Sequence, residues 1–190
     1  MATLARFAGP LALLGGALWV IAGLGQAAVP TAPTWIGLFA SVLLIGGAAV
    51  GLQEQVGERS GRLGRWGAAA TAVGAVALIA CVLIVIATGQ VNATNPPAVL
   101  VALAGLSFLL WFVGGLVFAL GLMRAKAISS IAGWVVVLGS VIVPVLVVAF
   151  PQNAPPIVYV PLVLYGVGWM LVGYEARKPM AEVGIAGQAS

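Results

Sequence analysis

Apolar and polar positions alternate along this chain in long blocks. Six apolar runs occupy residues 7–26, 35–53, 66–88, 98–122, 128–150 and 157–174, and none contains a charged side chain. Each is near the roughly 20 residues that an α-helix needs to cross a hydrocarbon core. Barrel strands would alternate apolar and polar residues. These runs are apolar on every face, as lipid-embedded helices are. The pattern predicts an all-α polytopic membrane protein with six transmembrane helices. Residues 1–178 are expected to form one six-helix transmembrane bundle, with short connections between antiparallel neighbours. Residues 179–190 are expected to be a disordered cytoplasmic tail, being short, rich in small residues and untied.

The polar breaks sort by charge. Arg6 precedes the first run, and Arg59, Arg62 and Arg65 separate the second from the third. Arg124 and Lys126 separate the fourth from the fifth, and Arg177 and Lys178 follow the sixth. The breaks at 27–34, 89–97 and 151–156 carry no charge. All the cations therefore fall on one side, which the positive-inside rule makes cytoplasmic, together with both termini. Trp66 and Trp134 near the inner ends, and Trp35, Phe150 and Tyr159 near the outer ends, suit interfacial anchoring. The first run has a short basic lead and small residues at Gln26-Ala27-Ala28. It is longer than the roughly 7–15 residues of a signal-peptide core and is read as a retained span. Its cleavage would leave five spans and an outside N-terminus.

Composition sharpens this picture. The chain is 63% hydrophobic and only 6% charged, whereas a soluble domain carries about a quarter charged residues. A soluble fold of this size has too little interior to hide so much apolar surface. There is no His or Asp, and the acids are Glu54, Glu58, Glu175 and Glu182. One cysteine, Cys81, permits neither an intrachain disulfide nor a Cys pair on a metal. The net charge of +4 sits in short breaks beside apolar spans, so it reads as topology and not as a nucleic-acid surface. Arg outnumbers Lys, and Ala, Gly and Val abound, which favours a bacterial plasma membrane. The sequon Asn92-Ala93-Thr94 would face outside and matters only in a eukaryotic secretory route.

An internal repeat of about 60 residues is legible. Leu4-Ala5-Arg6-Phe7-Ala8 leads to Gly15, Leu63-Gly64-Arg65-Trp66-Gly67 to Gly74, and Ile128-Ser129-Ser130-Ile131-Ala132 to Gly139. In the even runs Gly46-Gly47 recurs as Gly114-Gly115, and the last has Gly166 and Gly168. The outer breaks match in Gly25-Gln26 with Pro30 and Pro33, Gly89-Gln90 with Pro96-Pro97, and Pro151-Gln152 with Pro155-Pro156. Three hairpins entering in the same direction would be parallel repeats about an axis along the membrane normal. In a chain so rich in Gly, Ala, Val and Leu, such matches also arise by chance.

Few residues carry candidate chemistry. Ser41, Ser107 and Ser140 fall near mid-membrane with Tyr165, Trp111 and Trp19, where they would line a small polar cavity for an uncharged ligand. The competing reading is a hydroxyl bonded to the carbonyl one turn back in its own helix. Arg59, Arg62 and Arg65 recur at every third residue and could meet anionic lipid, although lipid-binding clusters usually hold about 4–8 cations. The plainer role is to keep the loop inside. Gly47 and Gly51 form a GxxxG that lets two helices approach, within the monomer or between copies. Pro144 removes a backbone hydrogen bond in the fifth run, and the Ser140 hydroxyl is placed to compensate.

Two family resemblances fail on their motifs. Asn95-Pro96-Pro97-Ala98 resembles an aquaporin Asn-Pro-Ala box, but Asn153-Ala154-Pro155 is no second copy. A triplicated hairpin is similar to mitochondrial carriers, whose odd helices place acidic and basic residues after a proline; Pro144 has no such neighbours. No catalytic residue, cofactor site or metal site is assigned. The reading favoured is a structural or accessory membrane component, working with the bilayer, a membrane-protein partner or further copies of itself, and with no nucleic acid. The alternative, motivated by the parallel repeat, is a transporter or channel for a small uncharged or lipophilic solute; ion coupling is disfavoured because no Asp, Glu, His, Lys or Arg lies in any span. An enzyme is disfavoured, since Cys81 has no nearby base and the spans hold no acid–base pair.

Overall fold

The computed structural model describes residues 2–28, 32–89, 97–149 and 159–177. Among these residues the chain is helical and contains no strand. The helices are α1 (Ala2–Ala28), α2 (Ala32–Val56), α3 (Gly61–Ala87), α4 (Ala98–Arg124), α5 (Ser130–Ala149) and α6 (Tyr159–Glu175). Most of the expected outer breaks, the sequon and the C-terminal tail lie outside the described residues, as do the side chains of Trp35, Phe150 and Tyr159.

Three segments are long and apolar enough to cross a membrane: Leu4–Gly25, Ile36–Ala87 and Ala98–Arg124. The second is interrupted by a 3₁₀ turn at Gly57–Ser60, after which α3 folds back on α2. Gly57 and Gly61 make the reversal with φ of +59° and +62°, a backbone region other residues enter at a cost. Ser60 Oγ donates to Gln53 Oε1 at 2.8 Å, and Gln53 Nε2 to the Gly57 carbonyl at 3.1 Å, which pins the turn. Ser130–Leu146 and Val160–Glu175 are shorter apolar helices. The outer surface is apolar, with Ile36, Trp66, Val99 and Ile131 each at least two-thirds exposed. Such a surface is compatible with insertion into lipid and would be a liability in water.

Each helix packs chiefly on its two neighbours in sequence, and α6 returns to α1, so the described helices form a closed circuit. The α1–α6 seam is lined by glycine. A Cβ on Gly9 would sit 3.0 Å from the Gly173 carbonyl oxygen, and one on Gly166 would sit 2.7 Å from that of Gly16. Backbone meets backbone along this antiparallel pair at two points seven residues apart on each helix. The α3–α4 seam is similar: Gly74 lies against the Trp111 backbone, Gly67 against Phe118, Gly114 against Thr71, and Gly121 against Gly64. Gly139 on α5 meets Tyr165 on α6, as Gly15 on α1 meets Ile45 on α2. Gly51 presses on the Leu4 carbonyl and Ala8 of α1, whereas Gly47 has only Leu11 near it, at 3.8 Å.

The helix ends beside the α2–α3 and α4–α5 reversals are tied by polar groups. Gln55 Nε2 donates to the Ala5 carbonyl, joining α2 to α1. Ser129 Oγ accepts from the Ala132 amide at 3.2 Å, capping the first turn of α5. The Ser129 amide donates to Glu175 Oε2 on α6. Helix α4 ends in a Schellman pattern, with Lys126 N–H on the Met123 carbonyl and Ala127 N–H on the Leu122 carbonyl, both at 3.0 Å. Lys126 takes the left-handed position there, φ +53°, where glycine is usual. That conformation costs an L-residue about 1–2 kcal/mol.

Adjacent glycines on α4 provide a check. A Cβ at Gly114 would meet the Thr71 amide and the Ala70 carbonyl carbon, whereas one at Gly115 finds Tyr165 Oη at 3.2 Å and Ser140 Oγ at 3.6 Å. Gly114→Ala is expected to force α3 from α4 and cost roughly 1–3 kcal/mol. Gly115→Ala is expected to stay within about 1 kcal/mol of the parent, because helix propensity gains what the tight contact loses. Thermal unfolding in detergent measures both, and equal losses would contradict this packing.

Candidate functional site

Helices that pack chiefly on their neighbours, with axes about 8–10 Å apart, leave space in the middle. Aromatic side chains fill it. Trp19 on α1 reaches Trp111 on α4, a helix across the circuit, with ring centroids 5.0 Å apart. Tyr165 on α6 lies 5.5 Å from Trp19, 5.3 Å from Trp111 and 4.9 Å from Phe112. A second layer lies one to two turns nearer the α2–α3 and α4–α5 reversals, where Phe118 stacks on Trp169 at 6.3 Å. All six rings are buried.

Of the hydroxyls expected to share a polar cavity, two bond within their own helices. Ser41 Oγ donates to the Leu38 carbonyl at 2.6 Å and Ser107 Oγ to the Leu103 carbonyl at 2.7 Å. The other two come together: a point beside Gly115 lies within 3.6 Å of both Tyr165 Oη and Ser140 Oγ. Neither hydroxyl makes a hydrogen bond of normal geometry among the described protein atoms, nor do the indole nitrogens of Trp19, Trp111 and Trp169, although the Trp169 indole weakly engages Tyr165 Oη. Ser140 therefore does not compensate for the hydrogen bond lost at Pro144. The centre is a dense aromatic plug with polar heads embedded in it. Indole N–H groups only donate, while the hydroxyls both donate and accept, so these groups can orient a small polar molecule.

The second concavity lies at the end that carries the α2–α3 and α4–α5 reversals. A cavity of about 430 Å³ is lined by Leu52, Gln55, Val56 and Arg59 from the first hairpin and its turn. Leu122, Met123, Lys126 and Ile128 line it from the α4–α5 connection, and Ser129, Ser130 and Glu175 from α5 and α6. The three arginines grouped by spacing are thereby divided. Arg59, in the 3₁₀ turn, lines the cavity, while Arg62 and Arg65 are exposed on α3 and take no part in it. Lys126, Gln55 and Glu175 were not singled out in the sequence as members of any site. Nothing linear connects residues 55, 126 and 175, so only the closed circuit brings them together. Cys81 is a buried free thiol. Among the described residues no three His, Cys, Asp or Glu side chains gather where a metal could be held.

Comparison with protein-family models, with curated proteins and with solved structures finds no match to this chain. The functional reading therefore rests on its own residues.

The plug yields a sign-specific prediction. Tyr165→Phe removes a buried hydroxyl that makes no hydrogen bond of normal geometry among the described residues, so stability should be unchanged or rise by up to about 1 kcal/mol. Tyr165→Ala should cost about 3–5 kcal/mol by opening a cavity among four rings. If the Phe variant instead loses more than about 1 kcal/mol, the hydroxyl is bonded in the native state and the plug has been misread.

Proposed function

We propose that the chain is a non-catalytic, structural or accessory component of a bacterial plasma membrane, crossing it six times with both termini in the cytoplasm. The observation that carries this reading is the filled centre. Trp19, Trp111, Phe112 and Tyr165 occupy the space through which a solute would pass. None of the described helices carries an ionisable pair there. The six-span weave is supported by the placement of the described cations: Arg59, Arg62 and Arg65 lie at the α2–α3 reversal and Arg124 and Lys126 at the α4–α5 reversal, both at one end of the circuit.

The three-hairpin repeat is part of this proposal, and contacts support it. Gly15, Gly74 and Gly139 each face a buried large residue of the following helix: Ile45, Trp111 and Tyr165. The same register places Ala48 beside Gly114 and Gly168. The latter two glycines face Thr71 and Val136 on their own hairpin partners. The Gly46-Gly47 match to Gly114-Gly115 is two residues out of that register, since Gly46 faces α3 of the next hairpin.

A partner has a place to dock. Gly46, Gly47, Val50 and Ala72 border an outer groove of about 220 Å³, and small residues let a second helix come close in lipid. Gly47→Leu fills that groove from a position with no tight internal neighbour. It should leave thermal stability within about 1 kcal/mol of the parent while abolishing crosslinking to a membrane-protein partner or a second copy in native membranes. An unchanged crosslink pattern would remove this groove as the contact.

The second reading is a transporter for a small uncharged or lipophilic solute. It is favoured by the inner cavity, which lies one turn from the Phe118–Trp169 layer. Glycerol flux into proteoliposomes, accelerated by Trp111→Ala, would select it over the structural role. For the weave itself, reporters fused after Arg62 and after Gln90 should report opposite compartments.

A further inference from the structure

The inner cavity is more specific than the structural role requires. Its volume of about 430 Å³ lies in the range of small-ligand sites, which are mostly apolar with a few convergent polar groups. Its floor is apolar, formed by Leu52, Leu122 and Ile128, each buried. Its rim carries two cations from separate connections: Arg59 from the α2–α3 turn and Lys126 from the α4–α5 turn. One carboxylate, Glu175, also lines it, but that group accepts from the Ser129 amide. Ser129 in turn caps the first turn of α5. The start of α5 is thus satisfied by the protein, and the attraction for an anion comes from Lys126 and from Arg59, which also holds an interaction within the fold. The lining has a formal charge of +1, counting Arg59, Lys126 and Glu175.

We propose that this cavity binds the phosphate group of an amphiphile, held between Arg59 and Lys126, with the start of its apolar chain on Leu52, Leu122 and Ile128. Guanidinium and ammonium donors make their strongest hydrogen bonds to such oxygens. The apolar floor beneath them suits a phosphate that carries a hydrocarbon chain better than inorganic phosphate. Lys126 adds a separable feature. It occupies a left-handed helix-ending position, φ +53°, where glycine would fit without strain. A residue chosen for fold stability alone would be glycine there. The lysine puts a cation at the cavity instead.

The test follows from that conflict and uses the full chain in neutral detergent. Thermal unfolding is followed while phosphatidylglycerol is titrated, with diacylglycerol of the same chains and inorganic phosphate as parallel arms. Phosphatidylglycerol should raise the melting temperature and diacylglycerol should not. Lys126→Gly should melt about 2–4 °C higher without lipid, because strain is relieved, yet bind phosphatidylglycerol about tenfold more weakly. Arg59→Gln should weaken binding by a similar factor, and Lys126→Arg should retain it. Arg62→Gln and Arg65→Gln, outside the cavity, should bind within about twofold of the parent, as screened surface charges do. The proposal is overturned if Lys126→Gly binds as the parent does, or if the Arg62 and Arg65 variants lose as much as the Arg59 variant. A full shift with inorganic phosphate alone would overturn the apolar half and assign the site to a soluble phosphate.

Discussion

In lipid, one apolar helix gains nothing by burying itself against another instead of against acyl chains. What holds helices together there is close packing, and close packing is limited by how near two backbones can come. That limit organises this molecule. Gly9 and Gly16 on α1 face Gly173 and Gly166 on α6, and the carbonyl of one glycine lies where the Cβ of its opposite number would be. The same device recurs between α3 and α4, where Gly67 and Gly74 admit the backbones of Phe118 and Trp111. Contacts this short bring Cα–H groups against carbonyl oxygens, a weak attraction that repeats along the seam. Closing the circuit at the α1–α6 seam turns a row of hairpins into an enclosure.

An enclosure must then be filled. Small residues at the seams carry no volume inward, so the middle falls to large aromatic side chains from α1, α4 and α6. Trp19 and Trp111 meet across the circuit, and Tyr165 and Phe112 complete the layer. Each indole or phenol brings a polar head with it. The heads of Trp19, Trp111, Trp169 and Tyr165, with the Ser140 hydroxyl, make no hydrogen bond of normal geometry among the described residues, and burial of such groups costs free energy unless a hydrogen bond compensates. The plug is therefore a compromise between volume and polarity. Rings supply contact that aliphatic side chains could not, at the expense of several unpaired donors. A centre packed in this way resists passage of solute, which is why the structural reading stands ahead of the transporter.

The helices were largely legible in the sequence because each is a long apolar run broken at turns. The run at 98–122 begins where α4 does, and the breaks at Gly57–Ser60 and Lys126 fall where cations interrupt hydropathy. Hydropathy stops α2 too early, at Gln53. The helix runs on through Glu54 and Gln55 to Val56, because Gln55 finds the Ala5 carbonyl and Ser60 finds Gln53. The serines were not legible. Ser41, Ser107 and Ser140 have the same side chain at similar depth, and only the rotamer and the neighbouring backbone separate two that bond locally from one that does not. Arg59, Arg62 and Arg65 share a spacing, yet the first lies in a 3₁₀ turn and the others on α3, so a helical spacing rule does not apply across them.

On the proposed three-hairpin reading, the larger cavity follows from how the hairpins differ at one shared contact. In the register set by Gly15, Gly74 and Gly139, the positions Gln55, Gly121 and Glu175 correspond, and they face Ala5, Gly64 and Ser129. In the middle hairpin two glycines meet, and α3 and α4 close completely at that level. In the outer two, a long polar side chain stands in the same place and is held by a backbone group of the partner helix. Gln55 takes a carbonyl, and Glu175 takes an amide. Both of these side chains line the cavity, and Gly121 does not. Space opens at the inner end because two hairpins join there through side chains of some length, whereas the third joins backbone to backbone. On the triplicate reading, a repeat that stayed uniform at this contact would have sealed the inner end.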